Sequence, residues 1–227
     1  MEWFEIYILD KSGNHRYRLT WNGQHPVWSP DGKQIAFERQ DAIGNYEGIY
    51  IIDADGTDER RLNRDPYTIV HIWDWSDDGQ RLLVTGEKYV AGSSRPESYE
   101  LYEMDLNGNL IKQITDTKDI REYDAKWSSD NKKIAYSTVG LYRDIYIISP
   151  DSANPELITP SGDNKIGSFR WSPDALRIAF TQYGQFGRDD QRKEWANIHV
   201  INTDGTGLTQ ITFDDSTDII NNVTDWR

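Results

Sequence analysis

One motif returns four times along this chain. Its copies read WSPDGKQIAF, WSDDGQRLLV, WSSDNKKIAY and WSPDALRIAF, and they begin 47, 52 and 44 residues apart at Trp28, Trp75, Trp127 and Trp171. A further tryptophan, Trp226, follows 55 residues after the last of them. Internal repeats of roughly 40–50 residues are typical of stacked supersecondary units. The spacing therefore indicates a tandem array in which each unit is about the size of a four-stranded sheet.

A second segment follows each motif and has the pattern of a β-hairpin. Its copies are GIYIIDADGTDERRLN, ELYEMDLNGNLIKQIT, DIYIISPDSANPELIT and NIHVINTDGTGLTQIT, and the N-terminus supplies EIYILDKSGNHRYRLT. β-Branched and aromatic residues alternate around a D-x-D-G-like turn, and helical periodicity is absent. One unit is then a strand a that ends at the tryptophan, followed by strands b, c and d.

Four-stranded units at this period predict an all-β protein, a β-propeller of four-stranded antiparallel blades in a single domain over residues 1–227. Four blades are complete, at about 22–65, 70–116, 121–160 and 166–213. A fifth is shared between the termini, residues 1–21 with 222–227, and its closure would remove exposed sheet edges. The alternative is that the chain is part of a longer propeller.

The a–b turn contains an aspartate three residues after each tryptophan. A carboxylate at this position can accept hydrogen bonds from nearby backbone N–H groups. The next residue is Gly32, Gly79, Asn131 or Ala175. Glycine and asparagine tolerate a positive φ, so the first three suit a left-handed turn position and Ala175 does not.

The W-S-P-D-G and I-A-F pattern, followed by I-Y-I-x-D-x-D-G, resembles the repeat of the TolB-type propellers over nearly the whole chain. The resemblance implies the propeller fold and, as the nearest model, an extracytoplasmic bacterial scaffold. Only this resemblance favours a periplasmic or extracytoplasmic location, because the composition does not decide the compartment. The same repeat occurs in proteins of many kinds, so function has to be argued from a site.

Composition excludes several classes of partner. The net charge of −13 argues against nucleic acid, whose phosphates require clustered lysine and arginine. Nine Trp, thirteen Tyr and six Phe need a core to bury them, which argues against disorder. The sequence has no cysteine, so disulfides and thiolate metal sites are ruled out. It shows no signal peptide and no apolar run long enough to span a membrane.

No catalytic residue, cofactor or metal site is predicted. The sequence lacks the G-x-S-x-G, H-E-x-x-H and G-x-x-x-x-G-K motifs. The D-x-D-G turns lack the later glutamate of a calcium loop. His25 and His71 precede their tryptophans by three and four residues, so both are candidates for the channel mouth. Because that offset puts the two imidazoles out of register, a metal cluster is not expected.

The binding face is expected where the d–a and b–c connections emerge. The b–c loops predicted at Gln40–Glu47, Glu87–Glu100, Val139–Asp144 and Gln182–Trp195 are long and dissimilar, and variable loops on a repeated scaffold commonly carry function. Their aromatic residues, with the two histidines, are the candidate binding residues: Tyr46, Tyr89, Tyr99, Tyr142, Tyr183, Phe186, Trp195, His25 and His71.

These features favour a non-catalytic scaffold that binds a protein or peptide. The connections on this face are acidic on balance, so the partner is expected to be basic. The alternative function is a propeller domain or subunit of an enzyme that acts on a peptide or an acidic sugar. An enzyme should bring at least three polar side chains into one pocket, whereas a scaffold should offer a broad face rimmed by aromatic residues.

Overall fold

The computed structural model of the chain describes residues 4–41, 43–62, 69–89, 96–117, 121–139, 143–152, 154–160, 165–186, 193–213, 223 and 226. Throughout this part of the chain the regular elements are strands and no helix occurs. Accordingly, it holds no apolar helix of membrane-spanning length. By their internal contacts the residues divide into two compact units, Met1–Lys118 and Asp119–Arg227.

The first unit contains a two-stranded hairpin and two four-stranded antiparallel blades. The hairpin pairs β1 (Glu5–Leu9) with β2 (Arg16–Trp21). The next blade has the order β3 (Gly23–Trp28), β4 (Gln34–Gln40), β5 (Tyr46–Asp53) and β6 (Arg60–Arg61). The blade after it has the order β7 (Ile69–Trp75), β8 (Arg81–Tyr89), β9 (Pro96–Asp105) and β10 (Leu110–Gln113).

The second unit contains two more blades with the same strand order. One consists of β11 (Arg121–Trp127), β12 (Ile134–Val139), β13 (Ile145–Ile148) and β14 (Glu156–Leu157). The other consists of β15 (Lys165–Trp171), β16 (Arg177–Phe186), β17 (Lys193–Asn202) and β18 (Thr209–Gln210). These sheets confirm the all-β fold of four-stranded antiparallel blades. The shared fifth blade stays a prediction, because most of residues 222–227 lie outside the described residues.

The a–b turns have the geometry that their sequence predicts. In the turn after β15, Ser172 Oγ donates to Asp174, the same carboxylate accepts the N–H of Leu176 at 3.0 Å, and Ser172 Oγ accepts the N–H of Arg177 at 3.0 Å. The other three copies repeat this network. The residue after the aspartate has a positive φ in all four, and at Ala175 it is 57°.

A buried threonine fastens strand d to strand c. Thr115 Oγ1 accepts the N–H of Leu101 at 2.9 Å and donates to the Glu100 carboxylate at 2.8 Å. Thr159 and Thr212 make the equivalent bonds in the later blades. The threonines that end the QIT, LIT and QIT segments, Thr115, Thr159 and Thr212, are therefore structural residues, and so are the polar residues that they contact.

Alternation along strand b distributes the core between neighbouring blades. Ile35 and Phe37 of β4 pack against Ile6 and Leu19 of the hairpin, whereas Ala36 packs on the opposite face with residues of the β7–β10 blade. Successive side chains of a strand point to opposite faces. The I-A-F motif thus supplies both faces of its blade. Burying one such isoleucine or phenylalanine side chain stabilises the fold by roughly 1.5–3 kcal/mol.

Candidate functional site

The aromatic residues predicted on b–c loops lie on strands instead. The loop predictions at Glu87–Glu100 and Gln182–Trp195 are wrong, because β8 continues to Tyr89 and β9 begins at Pro96, while β16 and β17 pair up to Phe186 and Lys193. The hairpins extend because their alternating residues keep pairing past the blade core. Tyr142 lies outside the described residues, and the side chain of Phe186 does as well.

Several of these rings pack back onto their own blade. A Cβ built at Gly167 would lie 2.5 Å from the Tyr183 ring, and one at Gly184 would lie 2.1 Å from the Trp195 indole. Each ring therefore covers a glycine that leaves room for it. Tyr99 is half-buried on β9, and Tyr89 is 44% exposed with its hydroxyl donating to Glu87 at 2.6 Å.

Tyr46 lies at the start of β5 and packs against the core rather than projecting from the surface. Its hydroxyl is buried and has no hydrogen-bond partner among the described residues. Burial, together with the charge of Glu38, raises the pKa of Tyr46. This side chain is therefore not placed to anchor a partner at the surface.

The two predicted histidines converge on a buried carboxylate that the sequence analysis did not select. His25 Nδ1 lies 2.9 Å from Glu38 Oε2, and His71 Nδ1 lies 3.2 Å from Glu38 Oε1. The backbone N–H of Ile72 also donates to Glu38 Oε1, at 3.0 Å. The two imidazole centroids are 5.9 Å apart, and the ring planes are nearly perpendicular. His25, Glu38 and His71 are called the His–Glu–His cluster below.

β-Bulges bring these histidines together. One interrupts β3 between Gln24 and Val27, and others interrupt β7 on either side of His71. Each bulge inserts an extra residue and so changes the face to which the following side chains point. His25 itself has a φ of 50°, which is uncommon for a residue other than glycine. The prediction that the imidazoles of His25 and His71 are out of register is wrong, because it assumes regular strands without bulges.

The Glu38 carboxyl group at the centre of the cluster favours its ionised form. Burial alone would raise the pKa of the Glu38 carboxyl, but hydrogen bonds from His25 and His71 outweigh it and hold that pKa below its usual value. The bond to Glu38 in turn raises the pKa of His25, although desolvation opposes the shift. The site therefore combines a fixed carboxylate, 1% exposed, with two imidazoles that remain accessible to solvent.

A pocket lined by polar side chains and one indole opens on the face of the first unit that carries the d–a and b–c connections. Its volume is about 460 Å³ and it is called the Trp21 pocket below; its lining residues are Thr20, Trp21, Asn22, Arg39, Gln40, Asp41, Glu47 and Glu59. Trp21 is 54% exposed, and the Arg18 guanidinium lies 3.3 Å from the centre of its ring. Glu59 receives two hydrogen bonds from Arg39, at 2.5 and 2.7 Å.

Comparison with known proteins bears on the fold. No protein-family model matches the chain. Over 161 residues, or 69% of this chain, it is 28% identical to the uncharacterized peptidase YuxL of Bacillus subtilis (strain 168), of which the match covers 21%. A protein assigned as TolB from Agrobacterium tumefaciens superimposes with a TM-score of 0.60 at 15% identity, over 91% of this chain and 87% of that one. The fold is that of a TolB-type β-propeller.

Propellers of peptidases share this TolB-type fold. The acylaminoacyl peptidase of Pyrococcus horikoshii matches with a TM-score of 0.58 at 18% identity, over 91% of this chain and 34% of that one. The chain thus spans about a third of the length of the acylaminoacyl peptidase and about a fifth of the length of YuxL, its curated relative.

Within the TolB-type repeat, Glu38 occupies a position that holds a hydroxyl in the other complete blades. The equivalent residues are Thr85, Ser137 and Thr181. Thr181 Oγ1 accepts the N–H of Val223 at 3.0 Å, as Glu38 Oε1 accepts the N–H of Ile72. Each of these amides lies three residues before a repeat tryptophan. A carboxylate at a position that otherwise holds a hydroxyl is a sequence signal from which this site could have been found.

Proposed function

We propose that this propeller binds a basic segment of a protein or peptide at the Trp21 pocket. The observation that carries the proposal is the composition of that pocket, where an exposed indole lies beside three carboxylates and one guanidinium. The pocket lies on the face that was expected to bind a partner. It also includes both ends of the predicted Gln40–Glu47 connection.

The charges of the pocket favour a cationic ligand. Arg39 is engaged by Glu59, whose pKa stays below its usual value because the bonds from Arg39 and Thr20 outweigh burial. Arg18, which lies over the Trp21 ring, is 3.7 Å from the Glu5 carboxylate. With both guanidinium groups paired, the carboxylates of Asp41 and Glu47 set the sign of the potential. The net charge of −13 adds a long-range attraction for basic partners.

The indole supplies a second element of recognition. A guanidinium or ammonium over a tryptophan face is attracted by the ring quadrupole. The Arg18 side chain already covers one face of Trp21 in this way, so a ligand cation takes the other face or displaces Arg18. Aromatic residues at the centre of an interface typically cost 2 kcal/mol or more when truncated. Tyr89, Tyr99, Tyr183 and Trp195 stay predicted contact residues.

The test uses three fluorescein-labelled dodecapeptides in which alanine alternates with arginine, glutamate or serine, measured by fluorescence anisotropy. The arginine peptide should bind at least tenfold more tightly than the other two. Trp21→Ala should weaken that binding by roughly thirtyfold, the factor that corresponds to about 2 kcal/mol. Trp28→Ala is the matched control, because Trp28 is a similarly exposed tryptophan at the far end of β3. Equal binding of all three peptides, or unchanged affinity in Trp21→Ala, would contradict the proposal.

A second candidate function is the propeller part of a peptidase, and the relationship to YuxL favours it. The chain has no G-x-S-x-G motif, so a nucleophile of that type would come from another polypeptide segment or subunit. The propeller would then select or admit peptide substrates. Capture from a lysate of the source organism, followed by a peptide p-nitroanilide assay, tests this candidate. Hydrolysis in the captured fraction but not by the chain alone would support it, and no hydrolysis in either would oppose it.

A further inference from the structure

The His–Glu–His cluster has the donor set of a metal site. It shares no residue with the lining of the Trp21 pocket. We propose that His25, Glu38 and His71 together bind a divalent transition-metal ion of the zinc class. Two imidazole nitrogens and one carboxylate oxygen suit zinc, cobalt and nickel, whereas magnesium and calcium prefer sites built from oxygen alone. This inference does not depend on the proposed peptide binding.

Two of the donor separations are close to what such an ion requires. The three donor atoms lie within 4.8 Å of one another, and the two contacts to Glu38 measure 2.9 and 3.2 Å. Zinc–ligand bonds of 2.0–2.2 Å at tetrahedral angles place neighbouring donors about 3.3 Å apart. At those two contacts an ion that replaces the shared protons needs shifts of a few tenths of an ångström. Because His25 and His71 contact different oxygens of Glu38, the widest donor separation, up to 4.8 Å, has to close further, through rotation of the two exposed imidazoles.

The donor atoms are preorganised by their surroundings. Glu38 is fully buried, and the N–H of Ile72 fixes one of its oxygens, which is the kind of support that orients a metal-ligating carboxylate. The histidine side chains are 54% and 41% exposed, so an ion has a route in. Three protein donors with one open side match the arrangement in which water completes the coordination.

The backbone at His25 is that of a bulge which the repeat also forms in another blade. A residue other than glycine at a φ of 50° costs on the order of 1–2 kcal/mol. Asp124, which also lies three residues before its tryptophan, has a φ of 45°, so this conformation belongs to the strand-a bulge. Here the strained residue is the one whose imidazole reaches Glu38. A simple ion pair would need only one histidine, whereas this carboxylate receives both.

Zinc itself is the probe for the first experiment. The untagged protein is stripped with a chelator and titrated with ZnCl2 by calorimetry, and cobalt is titrated in parallel to follow its visible absorption. We expect one equivalent to bind. His25→Gln and His71→Gln should each weaken binding by more than the roughly 100-fold that loss of outer-shell support can cost. His15→Gln is the matched control, since His15 Nδ1 also bonds a carboxylate, Asp10, at 2.8 Å, and it should change the affinity less than twofold.

Glu38→Thr is the variant designed to keep the fold, because Thr181, at the equivalent position, makes the same kind of bond to the backbone amide of Val223. It should fold and lose zinc binding. A second readout needs no substitution: in nitrogen–proton correlation spectra of the four imidazoles, zinc should shift His25 and His71 and leave His15 and His199 in place. Absence of one-equivalent binding in the micromolar range, unchanged affinity in the cluster variants, or shifts at His15 or His199 instead would each overturn the proposal.

Discussion

Replacing Ala175 by glycine should stabilise this protein. Ala175 has a φ of 57°, and its N–H donates to the carbonyl of Ser172 at 2.9 Å, so the turn holds it in the left-handed region. That conformation costs roughly 1–2 kcal/mol for a residue with a Cβ. Glycine removes this cost but loses roughly 0.5–1 kcal/mol more conformational entropy on folding. The net gain is then about 0.5–1 kcal/mol.

Urea denaturation and thermal unfolding measure this difference directly. In a domain of this size, a gain of 1 kcal/mol raises the Tm by roughly 2–4 °C. Gly79→Ala is the matched control, because Gly79 occupies the same turn position with a φ of 69° and a Cβ there would meet nothing within 4 Å. It should therefore cost about as much as Ala175→Gly gains. If Ala175→Gly is neutral while Gly79→Ala is destabilising, the strain at Ala175 has been relieved elsewhere and the reasoning fails.

Three further predictions follow from the hydrogen bonds and charges. Thr115→Val should cost about 2 kcal/mol in urea unfolding, because it leaves the buried Glu100 carboxylate and the Leu101 amide without their hydroxyl partner; an unchanged midpoint would contradict this. The hydrogen bond from His15, followed by that from Ser12, lowers the pKa of Asp10 to about 2. This carboxylate therefore stabilises the fold above pH 3.8 and loses that effect as the pH falls toward 2. If the Asp10 carboxyl carbon titrates near pH 4 by NMR, the prediction is refuted. Association of the arginine dodecapeptide should slow as salt is raised from 50 to about 500 mM, since screening weakens long-range attraction; a salt-independent rate would argue against electrostatic steering.

The fold could be predicted because each copy of the repeat encodes its own turns. The serine and aspartate of W-S-x-D close the a–b turn through side-chain bonds to the backbone, and those bonds lie within six residues of the tryptophan. The alternation of I-A-F then assigns one face to each neighbouring blade. These are local rules, and a single sequence carries them in full.

The candidate site was predicted only in part because its geometry depends on irregular strands. Bulges in β3 and β7 change the register just where His25 and His71 lie, and neither segment has a glycine at the bulge that would mark it. The hairpin extensions were missed for a different reason. Pairing beyond the blade core, as between Gly184 and Trp195, depends on contact between the two arms rather than on turn residues.

The position of Glu38 explains how a site can be added to this repeat without altering it. Strand alternation places Glu38 on the same face as Ala36, toward the following blade. The backbone N–H of Ile72 in that blade needs an acceptor, and Glu38 supplies one. Thr181 shows that a hydroxyl can accept the equivalent amide, that of Val223. A carboxylate accepts it with one oxygen and has a second oxygen to present to His25, so it is oriented by a hydrogen bond of the kind that Thr181 also makes. Because that bond offsets part of the cost of burying the charge, one substitution in strand b can supply a fixed anionic ligand while the blade keeps its geometry.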